Sequence, residues 1–128
     1  SEIYRAVESL NEIEDSLVID LEYLGRESFM VLFVVTSQLY DFSDALKEKI
    51  NSSIKSSISA RFLPNEIVEI TEVPRTLSGK KLEVPVKKLL LGGDPLEVVN
   101  RDSMANPLSF DFFVEYTDSW PKRNIGKN

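Results

Sequence analysis

A short basic segment in the second half of the chain has the residue types needed to bind an anion. The ionisable side chains between Pro74 and Leu91 are five cations and one anion, namely Arg75, Lys80, Lys81, Lys87, Lys88 and Glu83. Ser78 and Gly79 place a hydroxyl and a flexible main-chain N–H beside Lys80, and a glycine permits a tight turn that aims the lysine outward. Because the whole chain has a net charge of −6 and this segment contributes +4, the remainder carries −10. The pattern predicts an anion-facing loop on an acidic body.

The same residues also fit a simpler interpretation. Thr-Leu-Ser-Gly is a common turn composition, and lysines next to a helix are usually solvated. The segment is not a P-loop, because that motif requires a glycine five residues before Gly79 and none is there. Spacing alone therefore favours a solvated turn over a binding loop.

Composition excludes several classes of function. The chain has no cysteine and no histidine, which excludes a disulfide scaffold, a cysteine nucleophile and Ser-His-Asp catalysis, and predicts no metal site. Its excess of acidic residues argues against nucleic acid as a partner. The longest apolar run, Phe29–Val35, is too short to cross a membrane, so no membrane partner is expected. Because the chain starts at Ser1 within a predicted helix and has no signal peptide, we interpret it as part of a larger protein.

Hydrophobic periodicity predicts the elements that position the basic loop. A helix is expected over 2–11, followed by a polar break to residue 15. A strand is expected over 17–23, with Val18 as an apolar exception on its solvent-exposed face. A turn at 25–28 then leads into a central strand at 29–35, which predicts a hairpin.

The next elements flank the loop. Asp41 is a candidate N-cap for a second helix that ends at Pro64. The apolar positions of this helix recur every four residues, at Phe42, Leu46, Ile50, Ile54 and Ile58. A third strand is expected over 66–73, before the loop, and a short helix through Val86, Leu89 and Leu90 after it.

Beyond Gly92-Gly93 the pattern becomes less regular. It predicts a small edge strand at 96–99, and a helix over 107–116 that buries Leu108, Phe112 and Phe113. Residues 119–128 are predicted to fray. We therefore predict an α+β domain over 1–92, with about three helices packed with a small, mainly antiparallel sheet, and a C-terminal extension over 93–128.

The segment from Pro74 to Lys80, Pro-Arg-Thr-Leu-Ser-Gly-Lys, resembles the P-[KR]-T-x-S-G-K motif of the acyl-adenylate-forming enzymes. This superfamily contains acyl-CoA synthetases, peptide-synthetase adenylation domains and beetle luciferases. The predicted strand and helix on either side, and Glu2-Ile3 near the start, also resemble the small C-terminal domain of these enzymes. Within the superfamily, residues 77–88 and 100–107 are most similar to the acetoacetate–CoA ligases.

The resemblance implies a two-step reaction in which a carboxylate is adenylated by ATP and the acyl group is then transferred to CoA. It makes Lys80 the catalytic lysine of the first step, with Thr76, Ser78 and Gly79 as residues that support the loop. Adjacent Lys81 is the alternative. The small domain of this family rotates between the steps, so Lys80 is expected to act only in adenylation.

The resemblance also implies where the other ligands bind. Glu2 and Lys55 are candidate CoA-binding residues, whereas ATP and Mg²⁺ would be held mainly by a large N-terminal domain of the same polypeptide. The substrate would be acetoacetate or another short acid, the compartment the cytosol, and this chain alone would be inactive. The basic loop is expected to be mobile, since nothing is predicted to pack against it in the absence of the large domain.

Two alternatives stay open. The chain could instead be a non-catalytic α+β module that binds an anion or an acidic partner through the basic loop. Within the superfamily, it could also be the C-terminal domain of an acetyl-CoA synthetase, or that of an adenylation domain that loads a carrier protein.

Overall fold

The computed structural model describes residues 1–22 and 28–123. Tyr23 and most of the turn predicted at 25–28 lie outside these ranges, as do the residues beyond 123 that were predicted to fray. The chain divides into two compact units, Ser1–Val73 and Pro74–Asn128. The functional boundary that the sequence suggests, at residue 92, stays a prediction.

The first unit is an α+β fold with a three-stranded sheet. Its elements are α1 (Glu2–Glu8), β1 (Ile13–Leu21), β2 (Phe29–Thr36), α2 (Asp44–Ser57), a 3₁₀ turn (Ala60–Phe62) and β3 (Glu66–Glu69). The strand order is β1-β2-β3, so the apolar run in β2 is the central strand, as predicted. β1 and β2 pair antiparallel from Leu21 opposite Phe29 to Ile13 opposite Thr36, whereas β3 runs parallel to β2. The prediction of a mainly antiparallel α+β sheet is confirmed.

Helices α1 and α2 cover one face of this sheet. Their buried side chains join those of the strands in one cluster, made of Ile3, Ala6, Val7, Ile13, Leu32, Val34, Leu46, Ile50 and Ile54. Val18 and Met30 are partly buried against the same cluster. The prediction that Val18 lies on a solvent-exposed face was therefore wrong, because side chains of two helices pack on that face of β1.

The boundaries of the first elements differ from prediction. α1 ends at Glu8, and β1 begins at Ile13, inside the segment that was expected to be a polar break. Ser16, which is fully buried in β1, donates its hydroxyl hydrogen bond to Glu8 Oε2 at 2.6 Å. Glu12 accepts from Lys49 Nζ at 2.5 Å, and this hydrogen bond lowers the pKa of its carboxyl. Hydrogen bonds from Ser16 and Lys49 thus stabilise the carboxylates of Glu8 and Glu12 beside β1.

The N-cap of α2 is Ser43 instead of the predicted Asp41. Ser43 Oγ accepts a hydrogen bond from the N–H of Leu46 at 3.1 Å, which satisfies a donor of the first turn. The helix ends at Ser57, well before Pro64, where its sequence becomes rich in serine, a weak helix former.

The second unit contains the predicted loop and is mostly helical. Its elements are α3 (Glu83–Leu90), two 3₁₀ turns (Arg101–Ser103 and Pro107–Ser109) and α4 (Phe110–Arg123). Gly92, just after the last residues of α3, has φ +102°, a conformation that ends a helix. The edge strand expected at 96–99 is absent from this described segment; the carboxylate and carbonyl of Asp94 accept main-chain N–H groups there and form a turn.

The buried side of α4 differs from the prediction. Phe110 and Phe113 are fully buried and have ring centroids 6.4 Å apart, whereas Leu108 is 78% exposed and Phe112 is only half-buried. The helix also begins later and runs further than 107–116. In neither described range does a helix combine the length and hydropathy needed to span a bilayer.

Candidate functional site

The basic loop is a short β-hairpin. Arg75 and Lys81 form an antiparallel bridge, the N–H of Thr76 donates to the carbonyl of Lys80 at 2.9 Å, and the N–H of Gly79 donates to the carbonyl of Thr76 at 2.9 Å. These bonds enclose a three-residue loop, Leu77-Ser78-Gly79, of the type that needs a residue with positive φ at its third position. Gly79 occupies that position with φ +91°.

The requirement for glycine at position 79 comes from the backbone conformation and not from lack of space. A Cβ atom built on Gly79 would meet no atom within 4 Å. At φ +91°, however, any other L-residue is strained, since only glycine adopts this region freely. The glycine therefore fixes the turn that directs the following lysine.

Side chains of the loop reinforce the turn from inside. Thr76 Oγ1 accepts the N–H of Lys80 at 3.0 Å and lies 3.0 Å from Ser78 Oγ. Arg75 Nη1 donates to the carbonyl of Gly79 at 2.8 Å. Thr76, Ser78 and Gly79 thus have the geometry expected of residues that shape the loop, although their functional role stays a prediction.

Lys80 is the exposed cation at the end of this turn. Its main-chain groups are bound within the hairpin, but its ammonium group makes no hydrogen bond or ion pair with any residue in the described part of the chain. Lys81 is half-buried. A positive charge with a fixed main chain and an unengaged side chain can reach an anion on another surface.

The expectation that nothing packs against the loop was wrong. Residues 103–106 run beside its first arm: the N–H of Leu77 donates to the carbonyl of Ser103 at 3.1 Å, and the N–H of Ala105 donates to the carbonyl of Arg75 at 3.0 Å. Asn106 Oδ1 accepts the N–H of Arg75 at 3.0 Å. We call residues 103–106 the brace. No periodic apolar pattern marks so short a segment, so its pairing with the loop has no signal in the sequence.

The hydrogen bonds of the loop predict slow amide exchange where mobility was expected. The N–H groups of Thr76, Leu77, Gly79 and Lys80 all have acceptors, whereas that of Ser78 has none within the described ranges. Exchange at the four bonded amides, followed by NMR, should be slower than at Ser78 by about tenfold or more after correction for intrinsic rates. Equal rates at all five amides would show that the hairpin opens freely.

The two candidate CoA-binding residues lie in the first unit. Glu2 begins α1 and lines an open cleft of about 250 Å³ with Arg5, Ser57 and Ile58. Lys55 is an exposed residue in the last turn of α2 and is not among the residues that line the cleft. The structure therefore does not bring Glu2 and Lys55 together in one pocket, and their role stays a prediction.

The described residues contain no group of three Asp, Glu, His or Cys side chains placed to hold a metal ion. The immediate neighbours of Lys80 in the hairpin are cationic, neutral or apolar. These side chains do not fit Mg²⁺, which prefers carboxylate and phosphate oxygens.

Comparison with known proteins identifies the type of domain that carries this hairpin. No protein-family model matches the chain. Among solved structures, acetoacetyl-CoA synthetase from Streptomyces lividans superposes with a TM-score of 0.84 and 40% identity over 95% of this chain and 18% of that one. An acyl-CoA synthetase from Brucella canis shares the fold, with a TM-score of 0.58 and 22% identity over 70% of this chain.

Curated sequences agree with the structures. Acetoacetyl-CoA synthetase from Danio rerio is 38% identical over 113 residues, which is 88% of this chain. That from Rhizobium meliloti is 33% identical over 114 residues. The chain spans only about a sixth of the length of these relatives, 16% and 17% respectively. Matches of this length cannot fit within residues 1–92, so the similarity continues into the predicted extension.

The fold and the motif hairpin define the chain as a domain of the acyl-CoA synthetase class. Identities of 33–40% over most of its length narrow this assignment. Over most of its length, the chain is similar to one segment of the acetoacetyl-CoA synthetases.

Proposed function

We propose that this chain is the C-terminal domain of an AMP-forming ligase that converts acetoacetate, ATP and CoA into acetoacetyl-CoA, AMP and diphosphate. The observation that carries the proposal is the hairpin at 75–81, which presents an unengaged Lys80 from a rigid turn in a chain similar to these enzymes. Lys80 is the catalytic residue that the domain supplies, and the rest of the active site belongs to a large domain of the same polypeptide.

The chemistry explains why a lysine is needed. In the first step an oxygen of the acid's carboxylate attacks the α-phosphorus of ATP, and the bond to the leaving diphosphate breaks. Two anions approach each other, and negative charge accumulates on the oxygens around phosphorus. An ammonium group that reaches those oxygens offsets the repulsion and stabilises the transition state. In the second step CoA thiolate attacks the acyl carbon and expels AMP, whose phosphate oxygen takes up the electron pair of the broken bond, and the phosphorus atom itself is not attacked.

The hairpin is suited to deliver that ammonium group. Lysine has four flexible side-chain carbons, so accuracy must come from its main chain. In this chain both main-chain groups of Lys80 are bonded to Thr76, and the turn is set by Gly79. Preorganised donors of this kind need little reorganisation during the reaction.

The binding sites of Mg²⁺, ATP, the acid and CoA are proposed from the similarity to the acetoacetyl-CoA synthetases and from the chemistry of the residues in this chain. Mg²⁺ would be bound by the large domain, as would most of ATP and the acid. Glu2 and Lys55 remain our candidates for contact with CoA. The expected compartment is the cytosol.

The affinity of the isolated chain for ATP distinguishes our proposal from the main alternative, a module that binds anions by itself. One basic hairpin supplies no adenine pocket, so the 128-residue chain should bind ATP more weakly than about 1 mM, a free energy near −4 kcal/mol. Isothermal titration or NMR shift mapping would measure this affinity. A dissociation constant in the micromolar range would favour the module and contradict our proposal.

The sequence of the parent gene is the second test. A Ser/Thr/Gly-rich phosphate-binding loop a few hundred residues before Ser1 would support the ligase. An unrelated sequence at that place would refute it, because the domain would then lack the partner that binds ATP.

A further inference from the structure

We propose that the brace, and Asn106 within it, is a positioning element for Lys80, so that the extension contributes to the adenylation step. This inference rests on the proposed function of Lys80. Asn106 is assigned no contact with substrate; it acts through the main chain of the hairpin.

The first arm of the hairpin lies between two partners. On one side Thr76 is bonded to Lys80 through main chain and side chain. On the other side the main chains of Arg75 and Leu77 are hydrogen-bonded to the brace, and Thr76 forms an antiparallel bridge with Met104. The arm is therefore the central strand of a small three-stranded arrangement, and every main-chain donor from 75 to 77 has an acceptor.

Asn106 contributes a side-chain contact from the brace to this arm. Its Oδ1 accepts the N–H of Arg75 at 3.0 Å, while the neighbouring residue Ala105 donates to the carbonyl of Arg75 at 3.0 Å. Both main-chain groups of Arg75 are thus held by adjacent brace residues. Arg75 in turn donates to the carbonyl of Gly79, directly before Lys80.

The brace itself is anchored in the second unit. Met104 is only 4% exposed, and Ser109 Oγ donates to the carbonyl of Asn106 at 2.6 Å. Arg101 Nη1 donates to Asp111 Oδ1 at 2.6 Å and to the carbonyl of Pro107 at 3.2 Å, which joins the 3₁₀ turn before the brace to the start of α4. A continuous set of contacts therefore leads from α4 through the brace to the catalytic lysine.

Such a support affects the rate through geometry. A displacement of about 1 Å at a reacting group can reduce the rate about a hundredfold. If the Arg75 N–H loses its acceptor, the first arm can shift, and Thr76 will carry Lys80 with it. The effect should appear only in the step that uses Lys80.

The test compares Asn106 variants in the full-length ligase. Asn106→Ala removes the acceptor, whereas Asn106→Asp keeps an oxygen at the same place. Asn65→Ala is a matched control, since Asn65 Oδ1 accepts the N–H of Met30 at 2.8 Å in the first unit and has no bond to the hairpin. The first half-reaction is followed by acetoacetate-dependent exchange of labelled pyrophosphate into ATP, and the second by CoA-dependent consumption of preformed acetoacetyl-AMP. Thermal unfolding of each variant is recorded as well.

We expect Asn106→Ala to slow pyrophosphate exchange by about tenfold to a hundredfold, to leave the second half-reaction unchanged, and to be largely rescued by Asn106→Asp. Asn65→Ala should leave both half-reactions at the wild-type rate. The double variant Asn106→Ala/Lys80→Ala should be no slower than Lys80→Ala alone, because a positioning residue has no effect once the group it positions is gone.

Several results would overturn the inference: wild-type exchange in Asn106→Ala, equal slowing of both half-reactions, no rescue by aspartate, or a further loss in the double variant. A failure of the proposed function would give a different result, namely normal pyrophosphate exchange in the Lys80→Ala variant. If Lys80→Ala is slow while Asn106→Ala is normal, only the positioning role is wrong.

Discussion

Replacement of Lys80 by alanine in the full-length ligase should slow acetoacetate-dependent pyrophosphate release about 10²–10³-fold, the usual effect of removing one preorganised charge donor. Lys80 is exposed, its ammonium group has no partner in the described ranges, and its main chain is fixed by Thr76. Its charge is thus available to a transition state on another domain, which is the role assigned to it here.

The second half-reaction should remain nearly normal in Lys80→Ala. Transfer of the acyl group to CoA proceeds by attack on the acyl carbon and not on phosphorus, and rotation of the domain would carry the hairpin away from the adenylate. Preformed acetoacetyl-AMP and CoA allow this step to be measured by itself. Equal loss in both steps would contradict the rotation.

Lys81→Ala is the matched control for the same experiment. Lys81 is half-buried, and its main chain bridges to Arg75. Successive residues in an extended arm point to opposite sides, so the two lysines are not interchangeable. We expect Lys81→Ala to change each half-reaction by less than about threefold. A larger loss there than at Lys80 would mean that the motif register is wrong.

The sequence predicted those parts of the fold in which local pattern and tertiary packing agree. The apolar run in β2 and the spacing of Leu46, Ile50 and Ile54 in α2 identify a central strand and a helix that packs on it. The helix between β2 and β3 forms a crossover connection, which accounts for the parallel pairing of β3. The turn at Gly79 was also predicted, because only glycine readily adopts its conformation.

Prediction failed where contacts distant in sequence decide the outcome. Val18 was placed on a wet face because strand alternation carries no information about the helices that cover it. Apart from the side chain of Asn106, the brace pairs with residues about 28 positions earlier through main-chain atoms, which any sequence could supply. An edge strand was expected at 96–99, but the side chain and carbonyl of Asp94 accept hydrogen bonds from N–H groups of that segment and form a turn.

Phe113→Ala should destabilise the chain by about 3–5 kcal/mol, the usual effect of removing a fully buried aromatic side chain. Phe113 has no exposed surface, contacts Phe112 edge to face with centroids 5.3 Å apart, and lies 6.4 Å from the ring of Phe110. Urea unfolding of the 128-residue chain would measure the change as a lower midpoint at an unchanged slope. The result would show that the segment after residue 92 is part of a folded unit.

Leu108→Ala is the control that distinguishes the loss of a buried, packed side chain from the loss of an exposed hydrophobic one. The sequence placed Leu108 on the buried side of the last helix, yet it precedes α4 in a 3₁₀ turn and is 78% exposed. Its truncation should change the free energy of unfolding by less than about 0.5 kcal/mol, as for other surface substitutions. If Leu108→Ala were as damaging as Phe113→Ala, the helix would be rotated relative to the structure, and the Arg101–Asp111 pair that anchors the brace would be misplaced as well.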